Sequence, residues 1–429
     1  METNKKGAET LAALRNGTWS GRELSLSAGL TEVPREILDH TDLEVLDLSG
    51  NRLRDLPSDF DHLKNLRVLF LSSNEFEHVP EVLGALPQLE MVGFKSNRIE
   101  QVPAASLPER LRWFILTDNR VGALPPTLGE RSRLQKLMLA GNRLESLPES
   151  MSRLRNLELL RISANALERL PGWLWELPRL SWLAAAGNPA CPSPEPPDSV
   201  FAHWSSLEMG DLLGSGASGV ISRARLGTEN VAVKVFKGAV TSDGRPHDER
   251  NACLRAGRHP HLVGVRGSVP GHPEGREVLA LDLIPNGYTN LGGPPSRESC
   301  TRDVFAPGQS LSGTAARRIA SGIGSLLAHL HGRGIVHGDL YAHNILVNAS
   351  GHALLGDFGA ASFLGGLSKT EQDGFRRTEA RAYGCLLDDL LRLAAGEPGL
   401  EDLAALRDRC LSEIPGDRPS SEQLGTLIG

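Results

Sequence analysis

Asparagine recurs at Asn51, Asn74, Asn97, Asn119, Asn142, Asn165 and Asn188, at intervals of 23, 23, 22, 23, 23 and 23 residues. A fixed period of this length means one structural unit used repeatedly, which narrows the fold more than any other feature of the chain. Each asparagine closes an L-x-x-L-x-L-x-x-N frame or a close variant, as in Leu43, Leu46, Leu48, Asn51 and in Leu134, Leu137, Leu139, Asn142. Prolines follow at Pro57, Pro80, Pro103, Pro125, Pro148 and Pro171. The leucines at frame positions 1, 4 and 6 are expected to point inward from a short strand and its approach. A buried asparagine amide suits the backbone groups that a tight turn strips of partners. No single unit encloses a core, so neighbours must stack. Leu24, Leu26, Leu30, Val33 and Pro34 keep the apolar frame but have Gly29 in the asparagine's place, as befits an N-terminal cap.

This pattern resembles the leucine-rich repeat family in its 23-residue form, from Leu24 to Pro189. The resemblance implies an α/β solenoid, a horseshoe, over residues 24–188, behind an N-terminal segment of residues 1–23. It also implies that frame positions 3 and 5 face the concave surface. Position 3 reads Val45, Val68, Met91, Trp113, Lys136, Leu159, Trp182, and position 5 reads Asp47, Phe70, Gly93, Ile115, Met138, Arg161, Ala184. Phe70, Met91, Trp113, Ile115 and Met138 are therefore expected to form an exposed apolar patch that takes a protein partner or substrate. After Asn188 the repeat ends in a stretch with Pro189, Pro192, Pro194, Pro196 and Pro197. Such a stretch favours extended polyproline, so residues 189–206 are expected to be a short, stiff spacer.

The bulk properties exclude several classes. At roughly 100–200 residues per domain, 429 residues suggest two or three domains. Charged residues are 23% and the net charge is −6, which gives no electrostatic reason to expect nucleic acid or an anionic membrane. No apolar run of about 18 residues is present, and Met1 to Thr10 is polar. Cys191, Cys253, Cys300, Cys385 and Cys410 are far apart and odd in number, which predicts neither disulfides nor zinc and suits the cytoplasm.

From about Leu207 the period is gone. Leu213, Gly214, Ser215, Gly216, Ala217, Ser218, Gly219 and Val220 form a GxGxxGxV loop. Lys234 follows in Val231-Ala232-Val233-Lys234, in a chain with only eight lysines among 46 basic residues. His337-Gly338-Asp339-Leu340 leads to Asn344, and Asp357-Phe358-Gly359 comes 13 residues after Asn344. This ordered set resembles the protein kinases, of the type joined to leucine-rich repeats, over residues 207–429.

The resemblance implies a bilobal α+β domain, with ATP and Mg²⁺ as cofactors. Gly214, Gly216 and Gly219 would let backbone amides approach phosphates. Lys234 would bind the α- and β-phosphates, held by a helix carboxylate for which Glu249 is the candidate, with Asp248 as the alternative register. Asn344 and Asp357 are hard oxygen ligands suited to Mg²⁺. Asp339 would orient the acceptor hydroxyl and take its proton, while His337 reads as a packing residue. Leu281, Asp282 and Leu283 resemble the strand and hinge beside the adenine, whose faces Ala232 and Val220 would wall.

Four departures accompany the resemblance. Gly338 stands where many kinases have arginine, which predicts activity independent of phosphorylation in the segment after Asp-Phe-Gly. Tyr341 stands where serine/threonine kinases carry lysine, and His343 where tyrosine kinases often carry arginine; His343, Lys369, Arg376 or Arg377 are the candidate replacements. No Ala-Pro-Glu follows Gly359, so the C-lobe is expected to be shortened, with Glu371 or Glu379 as partner for Arg418. The HGDL segment is shared with aminoglycoside and choline kinases. The expected function is a serine/threonine-type protein kinase; a small-molecule kinase and a pseudokinase scaffold are the alternatives.

Overall fold

The computed structural model describes residues 2–195, 199–216 and 218–426. It divides into two compact units. The first runs up to Leu157 and adds Asn165–Trp173; the second comprises Glu158–Ala164 and everything from Leu174 onward.

In the first unit, helix α1 (Glu2–Arg15) precedes six strands: β1 (Glu23–Ser25), β2 (Val45–Asp47), β3 (Val68–Phe70), β4 (Met91–Gly93), β5 (Trp113–Ile115) and β6 (Lys136–Met138). They pair in parallel with matched register, so Leu24, Leu46, Leu69, Val92, Phe114 and Leu137 form one ladder. All six are at most 2% exposed. Pro57, Pro80, Pro103, Pro125 and Pro148 each stand at the start of a 3₁₀ turn that returns the chain.

Asparagine closes each turn by hydrogen bonding to backbone. Asn142 donates to the carbonyls of Leu116 (2.8 Å) and Leu139 (2.9 Å) and accepts from the Val121 amide at 3.0 Å. The residue just before every repeat asparagine has positive φ: Gly50, Ser73, Ser96, Asp118, Gly141, Ala164 and Gly187. Four of these are not glycine, so the left-handed turn is held by the asparagine bonds and not by backbone freedom alone.

The concave apolar patch is less open than expected. Met91 (3% exposed) and Met138 (9%) are buried, and Phe70, Trp113 and Ile115 are half-buried. Packing across the strands explains this, with Phe70 of β3 reaching past Gly93 of β4 to β5. Phe70 meets Trp113 edge to face at 6.2 Å, and Lys136 lies over the Trp113 ring at 4.3 Å.

In the second unit, β7 (Leu159–Arg161) and β8 (Trp182–Ala184) pair in parallel, as the repeat demands. An antiparallel sheet follows, built from β9 (Glu208–Ser215), β10 (Gly219–Leu226), β11 (Glu229–Phe236), β12 (Val265–Ser268) and β13 (Val278–Leu281), in the order β12-β13-β11-β10-β9. Helix α2 (Pro246–Ala256) lies between β11 and β12 in sequence. Beyond them come β14 (Thr289–Asn290), α3 (Gly313–Gly332), β15 (Ile335–Val336), β16 (Ile345–Val347), β17 (Ala353–Leu355), β18 (Ser362–Phe363), α4 (Lys369–Leu393), α5 (Glu401–Cys410) and α6 (Ser421–Thr426). Val231, Val233, Ala280 and Ala224 form the core of the five-stranded sheet.

The expected spacer is not free chain. Cys191 donates its thiol to the Phe363 carbonyl at 3.2 Å, Asn251 donates to Ser193 (3.1 Å) and to the Pro194 carbonyl (3.2 Å), and Phe201 donates to Ser268 at 2.9 Å. These bonds tie both ends of the stretch to the second unit; Pro196 and Pro197 lie outside the described residues. β7 and β8, repeat by pattern, lie in the second compact unit.

Candidate active site

Lys234 lies in β11 opposite Ile221 of β10, and its side chain is 10% exposed. It forms an ion pair with Glu249, which is 2% exposed. Pro246 opens α2 with its fixed φ, and Glu249 lies in the first turn that follows. The structure therefore brings Glu249 to Lys234, whereas Asp248 is directed toward Gly187 and Ser193. Burial, reinforced by Asp357 and Asp243, pushes the Glu249 carboxyl up to about 7 despite the nearby ammonium. Burial opposes the charge on Lys234, but Glu249 and Asp357 outweigh it and raise its pKa. The charges of Lys234, Glu249 and Asp357 therefore act on one another directly.

The loop after β15 is held by its histidine. His337 is fully buried; its Nε2–H donates to the Gly356 carbonyl at 2.9 Å, and its Nδ1 accepts the Asp339 amide at 3.2 Å. Both ring nitrogens are thus occupied by backbone, as expected of a packing residue. Asn344 donates Nδ2–H to the Asp339 carboxylate at 2.8 Å and to its carbonyl at 3.0 Å. The Asn344 carbonyl in turn accepts from Gly356 at 3.1 Å, joining this loop to the Asp-Phe-Gly segment. Asp357 is exposed and has φ of +57°, and its Oδ1 accepts the Gly359 amide at 3.2 Å. Phe358 is buried against the His337 ring at 4.9 Å.

Asn344 commits its amide nitrogen to Asp339, which leaves its oxygen as the other end of the group. With the exposed Asp357 carboxylate it offers hard oxygen donors of the kind Mg²⁺ takes. Among the described residues no three His, Cys, Asp or Glu side chains converge as a cage.

Of the loop glycines, only Gly219 is crowded: a Cβ there would lie 2.7 Å from the Val235 carbonyl oxygen and 3.3 Å from the Lys234 side chain. Gly214 and Gly216 face open space, and Leu213 is exposed; Ala217 lies outside the described residues. Ala232 is buried opposite Leu281, and Val220 is half-buried. Asp282 directs its carboxylate to Arg266 and its amide to the Gly264 carbonyl (2.8 Å), so its side chain serves β12. Leu283 is half-buried in a groove with Leu262, Arg266 and Tyr288.

One residue at this site was not singled out from the sequence. Arg161, at the end of β7, is 1% exposed and bonds to the Asp339 carboxylate. It also donates Nε–H to Asp243 at 2.5 Å and Nη1–H to the Gly338 carbonyl at 3.0 Å. Its signal was present: Arg161 is the one cation among the position 5 residues, which are otherwise mostly apolar. Gly338 has φ of +74°, and a Cβ there would lie 2.4 Å from the Ala360 carbonyl oxygen and 2.8 Å from that of Leu183. Arginine has no room here.

The family model for the protein kinase domain matches residues 207–379, and that for leucine-rich repeats matches 23–76, 41–99, 109–167 and 132–189. The chain joins leucine-rich repeats to a protein kinase domain. It is 32% identical over 182 residues to a probable leucine-rich repeat receptor-like protein kinase of Arabidopsis thaliana, covering 39% of this chain and 25% of that one. It is 30% identical over 278 residues to the serine/threonine-protein kinase PkaA of Streptomyces coelicolor, covering 49% and 47%. A solved leucine-rich repeat protein of Leptospira interrogans aligns at 29% identity and TM-score 0.34, over 39% of this chain and 49% of that chain. The chain spans between a quarter and about half the length of these two kinases.

Within the kinase domain three of the four replacements expected for the missing loop cation are engaged elsewhere. His343 pairs with Asp303 at 2.7 Å, Arg376 with Asp373 at 3.2 Å, and Arg377 donates to the Pro415 carbonyl at 3.4 Å; Lys369, by contrast, is exposed at the first position of α4 and has no such bond among the described residues. Tyr341 is buried and stacks on Trp182 at 4.3 Å. The pairing expected for Arg418 also differs. Arg418 donates to the carbonyls of Pro178 (2.7 Å), Ser412 (3.1 Å) and Arg377 (3.5 Å). Burial and the nearby Arg381 depress it to about 9. Glu371 caps α4 through Ser368, and Glu379 accepts the Gly338 amide at 2.9 Å and engages His331 at 2.5 Å. Both carboxylates are claimed by sequence-near helix capping and by the catalytic loop, so neither reaches Arg418.

Proposed function

We propose that the chain is an ATP- and Mg²⁺-dependent protein kinase that transfers the γ-phosphate to a serine or threonine hydroxyl. The Lys234–Glu249 pair, beside the charge of Asp357 and the Asn344-braced Asp339, carries this reading. Lys234 would neutralise the phosphates, with Glu249 fixing the ammonium in place. Asn344 and Asp357 would hold Mg²⁺, which supplies electrostatic stabilisation of the transferring phosphoryl group. Asp339 would receive the proton of the acceptor hydroxyl. Lys234→Ala is expected to lower kcat/KM for ATP on the order of 100-fold, read by transfer of label from ATP. Normal kinetics in that variant would remove Lys234 from the site.

A small-molecule acceptor is the second reading. Only residues 360–368 separate Gly359 from α4, which leaves little chain to carry a peptide. Incubating the protein with labelled ATP and a cell extract separates the two, since the label appears either on protein or in the low-mass fraction.

The repeats would recruit a protein partner on the concave face around Phe70, Trp113 and Ile115. Replacing both Trp113 and Ile115 by Asp is expected to abolish capture of a partner retained by the wild type, with phosphotransfer to a generic acceptor unchanged. Retained capture would place recruitment elsewhere. None of the five buried cysteines is joined in a disulfide, which supports a reducing, cytoplasmic setting. No described helix is long and apolar enough to cross a membrane.

A further inference from the structure

We propose that Arg161 is the cation that the catalytic loop lacks, a positioning residue for Asp339, and that the chain around β7 and β8 takes the place of the missing activation segment. The inference rests on the kinase reading and assigns a role that the kinase motifs themselves do not contain.

The loop positions that carry lysine or arginine in kinases are closed to this task. Tyr341 lies flat against Trp182 with its hydroxyl buried and unbonded, and His343 is committed to Asp303. Arg161 meets the requirement instead. Its guanidinium bonds one carboxylate oxygen of Asp339 while Asn344 bonds the other, so the carboxylate is gripped at both ends. The bonds to Asp243 and to the Gly338 carbonyl fix the guanidinium itself. A planar, permanently charged fork makes these three contacts in one rigid pose, which an ammonium does not.

The surrounding chain supports the same role. Trp182 donates its indole N–H to the Leu340 carbonyl at 3.0 Å, on the catalytic loop. The Ala185 amide donates to Ser362 at 2.9 Å, and the Cys191 thiol to Phe363, both just after Asp-Phe-Gly. The Pro178 carbonyl receives Arg418, the arginine left without an Ala-Pro-Glu glutamate. The segment from Pro178 to Cys191 thus contacts the catalytic loop, the strand after Asp-Phe-Gly and the end of the domain. A kinase ordinarily links these points through the segment that is cut short here. Gly338 completes the fit, because the Leu183 carbonyl occupies the space of any side chain there.

The test uses the full-length chain as wild type, Arg161→Met and Arg161→Lys, with γ-labelled Mg-ATP and dephosphorylated casein as the probe acceptor. Rates are referred to the concentration of Mg-ATP sites, so that a loss of folded protein does not register as slower turnover. Arg161→Met is expected to lower kcat on the order of 100-fold with KM for ATP within about twofold, and Arg161→Lys to recover roughly a tenth of wild-type turnover. A purely structural role would instead reduce the number of sites and leave turnover per site intact. Arg161→Met turning over as fast as wild type, or faster, overturns the proposal; the faster result would make the arginine a plug on Asp339. If Arg161→Met does not fold, Arg161→Lys decides, and wild-type turnover in it overturns the proposal. A chain that transfers nothing in any of the three forms overturns the kinase reading itself, and this inference with it.

Discussion

Asparagine in place of Asp339 is expected to abolish phosphotransfer while leaving Mg-ATP binding nearly unchanged. The substitution keeps the shape of the side chain and one oxygen, so the 2.8 Å bond from Asn344 has an acceptor in the variant. What disappears is the ability to take a proton and the negative charge that faces Arg161. Loss of a general base alone costs typically 10²–10⁴ in rate, so a fall on the order of 10³ in kcat is expected. Thermal shift with Mg-ATP should show stabilisation close to that of wild type. An unchanged rate of label transfer would remove Asp339 from the chemistry. Loss of nucleotide binding would show instead that the carboxylate holds the loop together.

The second large effect is on stability. Gly338→Ala is expected to cost more than about 3 kcal/mol, and Gly338→Arg, which restores the residue many kinases carry, at least as much. The backbone there is left-handed, with φ of +74°, and both atoms that a Cβ would meet are main-chain carbonyl oxygens. Neither moves as a flexible side chain would. One of them, from Leu183, belongs to β8, so relieving the clash means shifting a strand. A fall of on the order of 5–10 °C in the thermal transition of the full chain would register the cost. A variant as stable as wild type would show that β8 does not rest on the catalytic loop.

The two halves of the chain differ in how legible they were. The repeat frame placed strands β2 to β8, the inward leucines and the asparagine bonds correctly, because each depends on neighbours one period away. The same frame overstated the exposure of Met91 and Met138, since strand-to-strand packing of large side chains is decided by residues in other repeats. In the second half the spacing of motifs brought Lys234 and Glu249 together, and Asp339 and Asn344. The partner of Arg418 could not be read in the same way. Pro178 donates no side chain to the bond; it offers a backbone carbonyl, and every residue has one.

What the amino-acid order determined by itself was local and periodic: a repeating turn closed by asparagine, a lysine on an alternating strand, and an aspartate with its asparagine five residues on. These follow from hydrogen bonds and register over short separations, where few arrangements compete. Tertiary structure alone decided that Arg161 would stand on Asp339, 178 residues later in the chain, and that β7 and β8 would fold with the kinase domain. A buried guanidinium needs carboxylates and carbonyls arranged around it, and only the folded chain collects Asp243, Gly338 and Asp339 in one place.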